Sequence, residues 1–148
     1  MGQLFDPSKY GSVVPIGPFY VANLDTALTN TDLLLANITA ETLSPGMPSA
    51  GTVVGVSVGA SGAPTAGTAT FSGHSAGTEF SGGPTAVIDS VTNTLESSGL
   101  AASARAITFA KGARLGVSAT TTTNLAATTV DYRATLWVRF DPDGAAGA

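Results

Sequence analysis

This chain of 148 residues has no cysteine, one histidine and few charged side chains. Without cysteine, a disulfide bond or a thiolate metal site is excluded. A histidine-based metal site normally needs two or three histidines, so the single His74 argues against one. Charged residues make up 11% of the chain, whereas roughly 25% is typical. Such a protein keeps itself in solution with hydroxyl and backbone groups, or buries much of its surface in an assembly.

Positive charge and long apolar runs are also scarce. The formal net charge is −4, and the six basic residues are scattered between Lys9 and Arg139, whereas nucleic-acid binding requires clustered Lys and Arg. The first twelve residues lack a basic stretch followed by an apolar one, which argues against a secretory signal. No stretch approaches the roughly 18 apolar residues of a membrane-spanning helix. We therefore expect no nucleic-acid partner, no membrane association and synthesis in the cytoplasm.

The residues that are abundant indicate β-structure. Hydrophobic residues make up 43% of the chain, and 18 glycines and 8 prolines separate short segments. In the longest segment, from about Thr128 to Phe140, even positions are mostly large and apolar while odd positions are mostly polar. This alternation is typical of a strand and is hard to produce on a helix. A shorter segment, Thr52 to Ala60, predicts Val54, Val56, Val58 and Ala60 on one face.

Six further segments complete a prediction of about eight strands. Gly67 to Gly73, with Ala69 and Phe71 inward, is predicted to form a hairpin with the strand at residues 52–60. A second hairpin is predicted around Lys111-Gly112, with Ile107 and Phe109 inward before the turn and Leu115, Val117 and Ala119 inward after it. The other predicted strands are Gly17 to Ala22, Asp32 to Thr39 and Ala86 to Val91. We therefore predict an all-β, antiparallel jelly-roll sandwich over residues 17–141.

The two ends differ from this body. Residues 1–16 carry Phe5, Tyr10, Val13 and Val14 without clean alternation. They are interpreted either as an extended arm that contacts a partner or as a frayed terminus. The aromatic residues favour the arm, because a solvated tail gains nothing by exposing them. Residues 142–148 are expected to form a flexible tail.

No constellation of side chains indicates catalysis. The letters G-x-S-x-G occur at residues 55–59, but in the middle of an alternating strand and not at the strand-to-helix turn that a nucleophile requires. Asp141-Pro-Asp-Gly144 resembles the start of a calcium loop, but the chain ends before the required glutamate. No pair of carboxylates is marked as acid and base. We predict a protein that is not an enzyme, with no cofactor, metal or small-molecule substrate.

Trp137 and Arg139 lie on the polar face of the last predicted strand. Because Trp and Arg dominate binding hot spots, both are candidate contacts to a partner. The alternative is that a loop or the N-terminal arm covers Trp137 within the monomer. A third interpretation, stacking of Trp137 and Tyr132 on a sugar, is weakened by their opposite faces.

Four segments together resemble jelly-roll domains of tailed-bacteriophage virions, particularly head decoration (cement) proteins and related fibre-head domains. They are Gly51 to Val58, Ala63 to Thr70, Ile107 to Val117 and Ala134 to Phe140, and the likeness spans roughly residues 50–140. The resemblance implies a homotrimer on the capsid surface of the virion, made in the host cytoplasm. Its partners would be its own copies and the major capsid protein, and its arm would reach across the shell.

Two functions follow as hypotheses. The first is a structural virion protein that binds the outside of a phage head and stabilises the expanded shell. The alternative is a receptor- or carbohydrate-binding β-sandwich module of a phage fibre or a secreted protein, suggested by Trp137 and by the frequency of jelly rolls among sugar binders. Fold alone does not decide between them.

Overall fold

The computed structural model describes residues 13–35, 45–103 and 107–141. Within these ranges the chain forms ten β-strands and no helix. In chain order the strands are β1 (Val13–Val21), β2 (Thr31–Leu35), β3 (Gly51–Ala60), β4 (Thr68–Ser75), β5 (Thr78–Glu79), β6 (Thr85–Asp89), β7 (Glu96–Leu100), β8 (Thr108–Phe109), β9 (Leu115–Thr121) and β10 (Tyr132–Phe140).

The strands form one curled sheet in which every pairing is antiparallel. The order is β5-β4-β9-β2-β1-β10-β3-β7, with β6 added to β4 and β8 added to β3. Where the curl closes, β6 meets β7, and the amide of Val87 donates a hydrogen bond of 3.1 Å to the Ser97 hydroxyl. The prediction of an all-β antiparallel fold is confirmed, and the curled sheet is consistent with a β-sandwich of jelly-roll type.

The core lies inside the curl and follows the alternation of the strands. Ala134, Leu136 and Val138 of β10 are buried, as the pattern of even positions predicts. Across the interior, the rings of Phe71 and Tyr132 pack with their centroids 5.3 Å apart. The inward residues of β4 and β9 are also those expected: Ala69, Phe71, Leu115, Val117 and Ala119. Burying each large side chain contributes about 1.5–3 kcal/mol.

The predicted face of β3 is wrong at its start. The register with β10 shifts between Trp137 and Val138, which face Gly55 and Val53 respectively. This leaves Val54 as an extra residue, a β-bulge. Val53 therefore enters the core and Val54 is only partly buried. A bulge changes which side chains face inward, so strict alternation fails there.

Both predicted hairpins are also wrong in their pairing. β3 pairs with β10, β7 and β8, whereas β4 pairs with β9, β6 and β5. The segment between β3 and β4 crosses to the other half of the sheet and packs on residues 122–126. There the amide of Thr65 donates to the carbonyl of Ala126 at 2.6 Å, and Gly67 (φ +74°) lies so close to Leu125 that a side chain would not fit.

The second predicted hairpin fails in the same way. The chain does turn at Lys111-Gly112, where Gly112 has φ +82°. However, β8 before the turn pairs with β3, while β9 after it pairs with β2 and β4. Turn chemistry predicts where a chain reverses, but not which strand it then pairs with.

The first strand begins inside the region predicted to be an arm. Residues 13–16 belong to β1 and pair with β10, so the predicted boundary at residue 16 lies within a strand. Gly17 (φ +133°) and Pro18 occupy the register shift that interrupts this pairing. Phe5, Tyr10, the rest of residues 1–12 and the predicted tail lie outside the described residues.

Candidate functional site

One face of the sheet carries the candidate contact residue Trp137 together with several exposed side chains. Residues directly opposite each other in an antiparallel pair lie on the same face, so the registers among β1, β10, β3 and β7 define a surface that we call the outer face. Its successive cross-strand rows are Tyr20–Arg133–Gly59–Glu96, Thr135–Ser57–Ser98, Pro15–Trp137–Gly55–Leu100 and Val13–Arg139–Thr52.

Trp137 lies at the centre of an apolar strip on the outer face. Its partly buried indole donates a hydrogen bond of 2.9 Å from Nε1 to the hydroxyl of Ser57. Pro15 is its exposed neighbour on β1. On the other side, Leu100 lies over the glycine at position 55 and is 76% exposed. We call Pro15, Trp137 and Leu100 the apolar ridge.

The remaining predicted contact residues divide between the two faces. Val13 lies on the outer face directly opposite Arg139. Arg139 was expected on an open surface, but it is only 6% exposed and its Nη2 makes no hydrogen bond. Val14 lies opposite Val138, on the inner face, and packs against the core. Trp137, Arg139 and Val13 therefore come together, whereas Val14 does not join them.

The other end of the outer face is a groove around Arg133. Two adjoining cavities, of about 730 and 460 Å³, share Arg133 and Gly59. The larger is lined by polar groups that include Ser57, Asn93, Glu96, Ser98 and Thr135. The smaller is lined by Tyr20, Ser61 and Asp131. We call both cavities together the Arg133 groove.

A fixed carboxylate stands at one end of this groove. The amide of Asn23 donates to Oδ1 of Asp131 at 3.0 Å, and the amide of Asp131 donates to the hydroxyl of Ser61 at 2.9 Å. Desolvation, together with the negative charge and hydrogen bonding of Asp131, raises the pKa of the Tyr20 phenol, while Arg133 lowers it. Tyr20, Asp131 and Arg133 therefore act on one another electrostatically.

Arg133 itself is exposed and makes no ion pair within 4.0 Å in the part of the chain that the structure describes. Its nearest cross-strand partner, Gly59, has no side chain. Glu96 is one strand farther along the same row, roughly 9–10 Å away at the usual strand spacing. The guanidinium can therefore bind an external acceptor.

His74 lies elsewhere, in the half of the sheet built from β2, β9 and β4. It is 1% exposed, and its Nδ1 accepts a hydrogen bond of 3.3 Å from the amide of Gly77. This assigns the ring proton to Nε2, which lies 3.1 Å from Oδ1 of Asp32. Both ring nitrogens are thus engaged, and neither is left to activate a nucleophile. His74 is a buried residue of β4.

The sequence predicted Trp137 as a candidate contact residue, but it did not predict the Arg133 groove. Its lining comes from segments that are far apart in the chain. The alternation of β10 predicts only that Arg133 and Thr135 lie on the same face as Trp137. Among residues 13–35, 45–103 and 107–141, no group of three His, Asp or Glu side chains could hold a metal ion. The same residues contain no helix long and apolar enough to cross a bilayer.

Comparisons of the chain with protein-family models, with curated proteins and with solved structures found no match. The function must therefore be inferred from the outer face itself.

Proposed function

We propose that this protein is a non-catalytic virion protein that decorates the outside of a phage head and stabilises the expanded shell. The observation that carries the proposal is the apolar ridge, which lies on an open face of the sheet and not in a pocket. Leu100 is largely exposed there beside a tryptophan whose only polar atom is already hydrogen-bonded. A surface of this kind suits a protein partner, because an apolar centre with an aromatic anchor is typical of interfaces.

Attachment through the ridge would stabilise the shell by mass action. A protein that binds only the expanded form stabilises that form by an amount that rises with the logarithm of its free concentration above the dissociation constant. The low content of charged residues suits a protein whose surface is largely buried against other subunits of an assembly. In this proposal the partners are the major capsid protein and further copies of the chain, in a homotrimer, and the aromatic residues Phe5 and Tyr10 add contacts.

The direct test is co-sedimentation with expanded heads that lack their decoration. We expect the wild-type protein to sediment with the heads and to raise their temperature of disruption. Leu100→Ser and Trp137→Ala should each weaken attachment at least about tenfold, the loss expected for a buried apolar contact. Native mass spectrometry should show a trimer.

The matched control is Val91→Ser, which changes another strongly exposed apolar residue that is outside the outer face. It should leave attachment unchanged. A chain that starts at Val13 should fold, because β1 is retained, and should bind more weakly if Phe5 and Tyr10 contribute. Failure of the wild-type protein to sediment with expanded heads would overturn the proposal, as would equal binding by Leu100→Ser and the wild type.

A further inference from the structure

The Arg133 groove is separate from the apolar ridge and has different chemistry. Its floor lies at Gly59 of β3, which has no side chain. A Cβ built at this position would meet nothing within 4 Å. Space therefore exists directly above the strand, between Arg133 on one side and Glu96 on the other. A volume of about 730 Å³ for the larger cavity is in the usual range for a small-molecule site.

Hydrogen-bonding groups dominate the lining of the larger cavity of this groove. The hydroxyl of Ser57 already accepts from Trp137, so its own proton is directed to another acceptor. Ser98 and Thr135 share its row, and the side chain of Asn93 offers both a donor and acceptors. A ligand with many alternating hydroxyl groups matches such a surface better than an apolar ligand does.

The exposed aromatic ring of Tyr20 adjoins the smaller cavity. Tyr20 is 46% exposed although its phenol lies near Asp131 and Arg133. A ring held by its polar end presents its apolar body to a ligand. It can therefore pack against the C–H groups of a sugar while the neighbouring polar side chains bind its hydroxyls.

Charge decides the class of sugar. Arg133 is the cation that both cavities share, it has no ion-pair partner among the described residues, and a guanidinium matches a carboxylate in a two-bond geometry. The carboxylates of Asp131 and Glu96 stand on either side of Arg133 and would repel a ligand with a negative charge on every unit, such as a nucleic acid, more strongly than a ligand whose single carboxylate lies on Arg133. From this we infer that the Arg133 groove binds an oligosaccharide carrying a carboxylate group, with the carboxylate on Arg133 and the hydroxyls on the serine and threonine side chains.

The test compares acidic glycans with their neutral counterparts. An array carrying sialylated and uronic-acid glycans beside neutral ones identifies the preferred probe, and calorimetry with 3′-sialyllactose and lactose measures selectivity. We expect at least tenfold preference for a carboxylated glycan, with a dissociation constant in the range of about 0.01–1 mM. Arg133→Gln should remove that preference, because the charged hydrogen bonds are lost. Gly59→Leu should abolish binding of acidic and neutral glycans alike by filling the groove.

Two variants are matched controls. Arg114→Gln removes an exposed arginine outside the groove, and Gly62→Leu adds the same side chain at another glycine with no atom near its Cβ. Both should bind like the wild type, and urea unfolding should show that all four variants fold. The inference is overturned if no carboxylated glycan binds at about 10 mM, if acidic and neutral glycans bind equally, or if Arg133→Gln binds unchanged. None of these outcomes bears on attachment through the ridge.

Discussion

At the scale of the residue, the glycines of this protein differ in how much space surrounds them. A Cβ at Gly116 would lie 2.5 Å from Cε1 of His74, so this glycine makes room for a buried side chain. A Cβ at Gly59 or Gly62 would meet nothing within 4 Å. The effect of adding one methyl group should therefore differ strongly between these positions.

We expect Gly116→Ala to lower the free energy of unfolding by about 1–3 kcal/mol, because the imidazole must move and its two polar contacts hold it in place. Urea unfolding measures this change. Gly62→Ala is the matched control and should stay within about 0.5 kcal/mol of the wild type. Equal stability of Gly116→Ala and the wild type would mean that His74 is not packed on this glycine.

A second prediction at this scale concerns the hydroxyl of Tyr132. The residue is 1% exposed and its oxygen makes no hydrogen bond. Burial raises the pKa of this phenol, so the folded state retains the proton at a pH where the unfolded chain releases it. Stability is therefore complete below the ordinary tyrosine pKa and falls as pH rises above it.

Tyr132→Phe should remove that part of the alkaline loss of stability. Near neutral pH it should change the free energy of unfolding by no more than about 1 kcal/mol, since no hydrogen bond is broken. The measurement is urea unfolding as a function of pH from neutral to strongly alkaline. An unchanged alkaline slope in Tyr132→Phe would contradict the prediction.

At the scale of the element, the contact between β6 and β7 closes the curl. The turn between them is capped by Asp89, whose carboxylate accepts from the amides of Thr92 at 2.6 Å and Val91 at 2.7 Å. These hydrogen bonds lower the pKa of Asp89, although its desolvation opposes them. The capped turn brings β7 so close to β6 that a side chain on Gly99 would overlap the carbonyl of Thr85.

Gly99→Ala should therefore open this contact. A loss of about 3 kcal/mol or more is expected, because backbone atoms must move apart and cannot rotate away as a flexible side chain would. Hydrogen exchange should show reduced protection of amides in β6 and β7 before other strands are affected. Gly59→Ala, on the strand that pairs with β7, is the control and should stay close to wild-type stability. Equal protection in both variants would show that β6 and β7 do not pack closely.

At the scale of the whole molecule, stability rests on apolar packing and very little on charge. Among the described residues the one contact between a basic side chain and a carboxylate within 4.0 Å joins His74 and Asp32, while the core draws on eight of the ten strands and the loops between them. Screening by salt weakens interactions between exposed charges and leaves buried apolar contacts almost unaffected.

We therefore expect the free energy of unfolding in urea to change by less than about 0.5 kcal/mol between about 0.05 and 0.5 M sodium chloride. Urea is suitable because it carries no charge of its own. A change larger than about 1 kcal/mol would show that electrostatic interactions contribute substantially to the stability of this fold.

Sequence reasoning found eight of the ten strands and missed β5 and β7. β5 has two residues, and β7 reads Glu-Ser-Ser-Gly-Leu, with a single large apolar side chain. Neither has an alternating apolar pattern from which a strand could be predicted. β7 forms because it pairs with β3, and it has no buried apolar face of its own. The pairing of Asp32 with His74 was equally out of reach, because it depends on how β2, β9 and β4 align.

The amino-acid sequence by itself determined that the chain is all-β and which side chains of β4, β9 and β10 face inward, because alternation is a local property of each strand. Only the tertiary structure decided which strands are neighbours, since turns at residues 61–67 and 111–112 could equally have joined adjacent strands. That pairing assembled the apolar ridge from β1, β10 and β7 and placed Arg133 beside the open space over Gly59. Both proposals rest on register between distant segments, which is set by the closing of the sheet around its core and not by any single stretch of sequence.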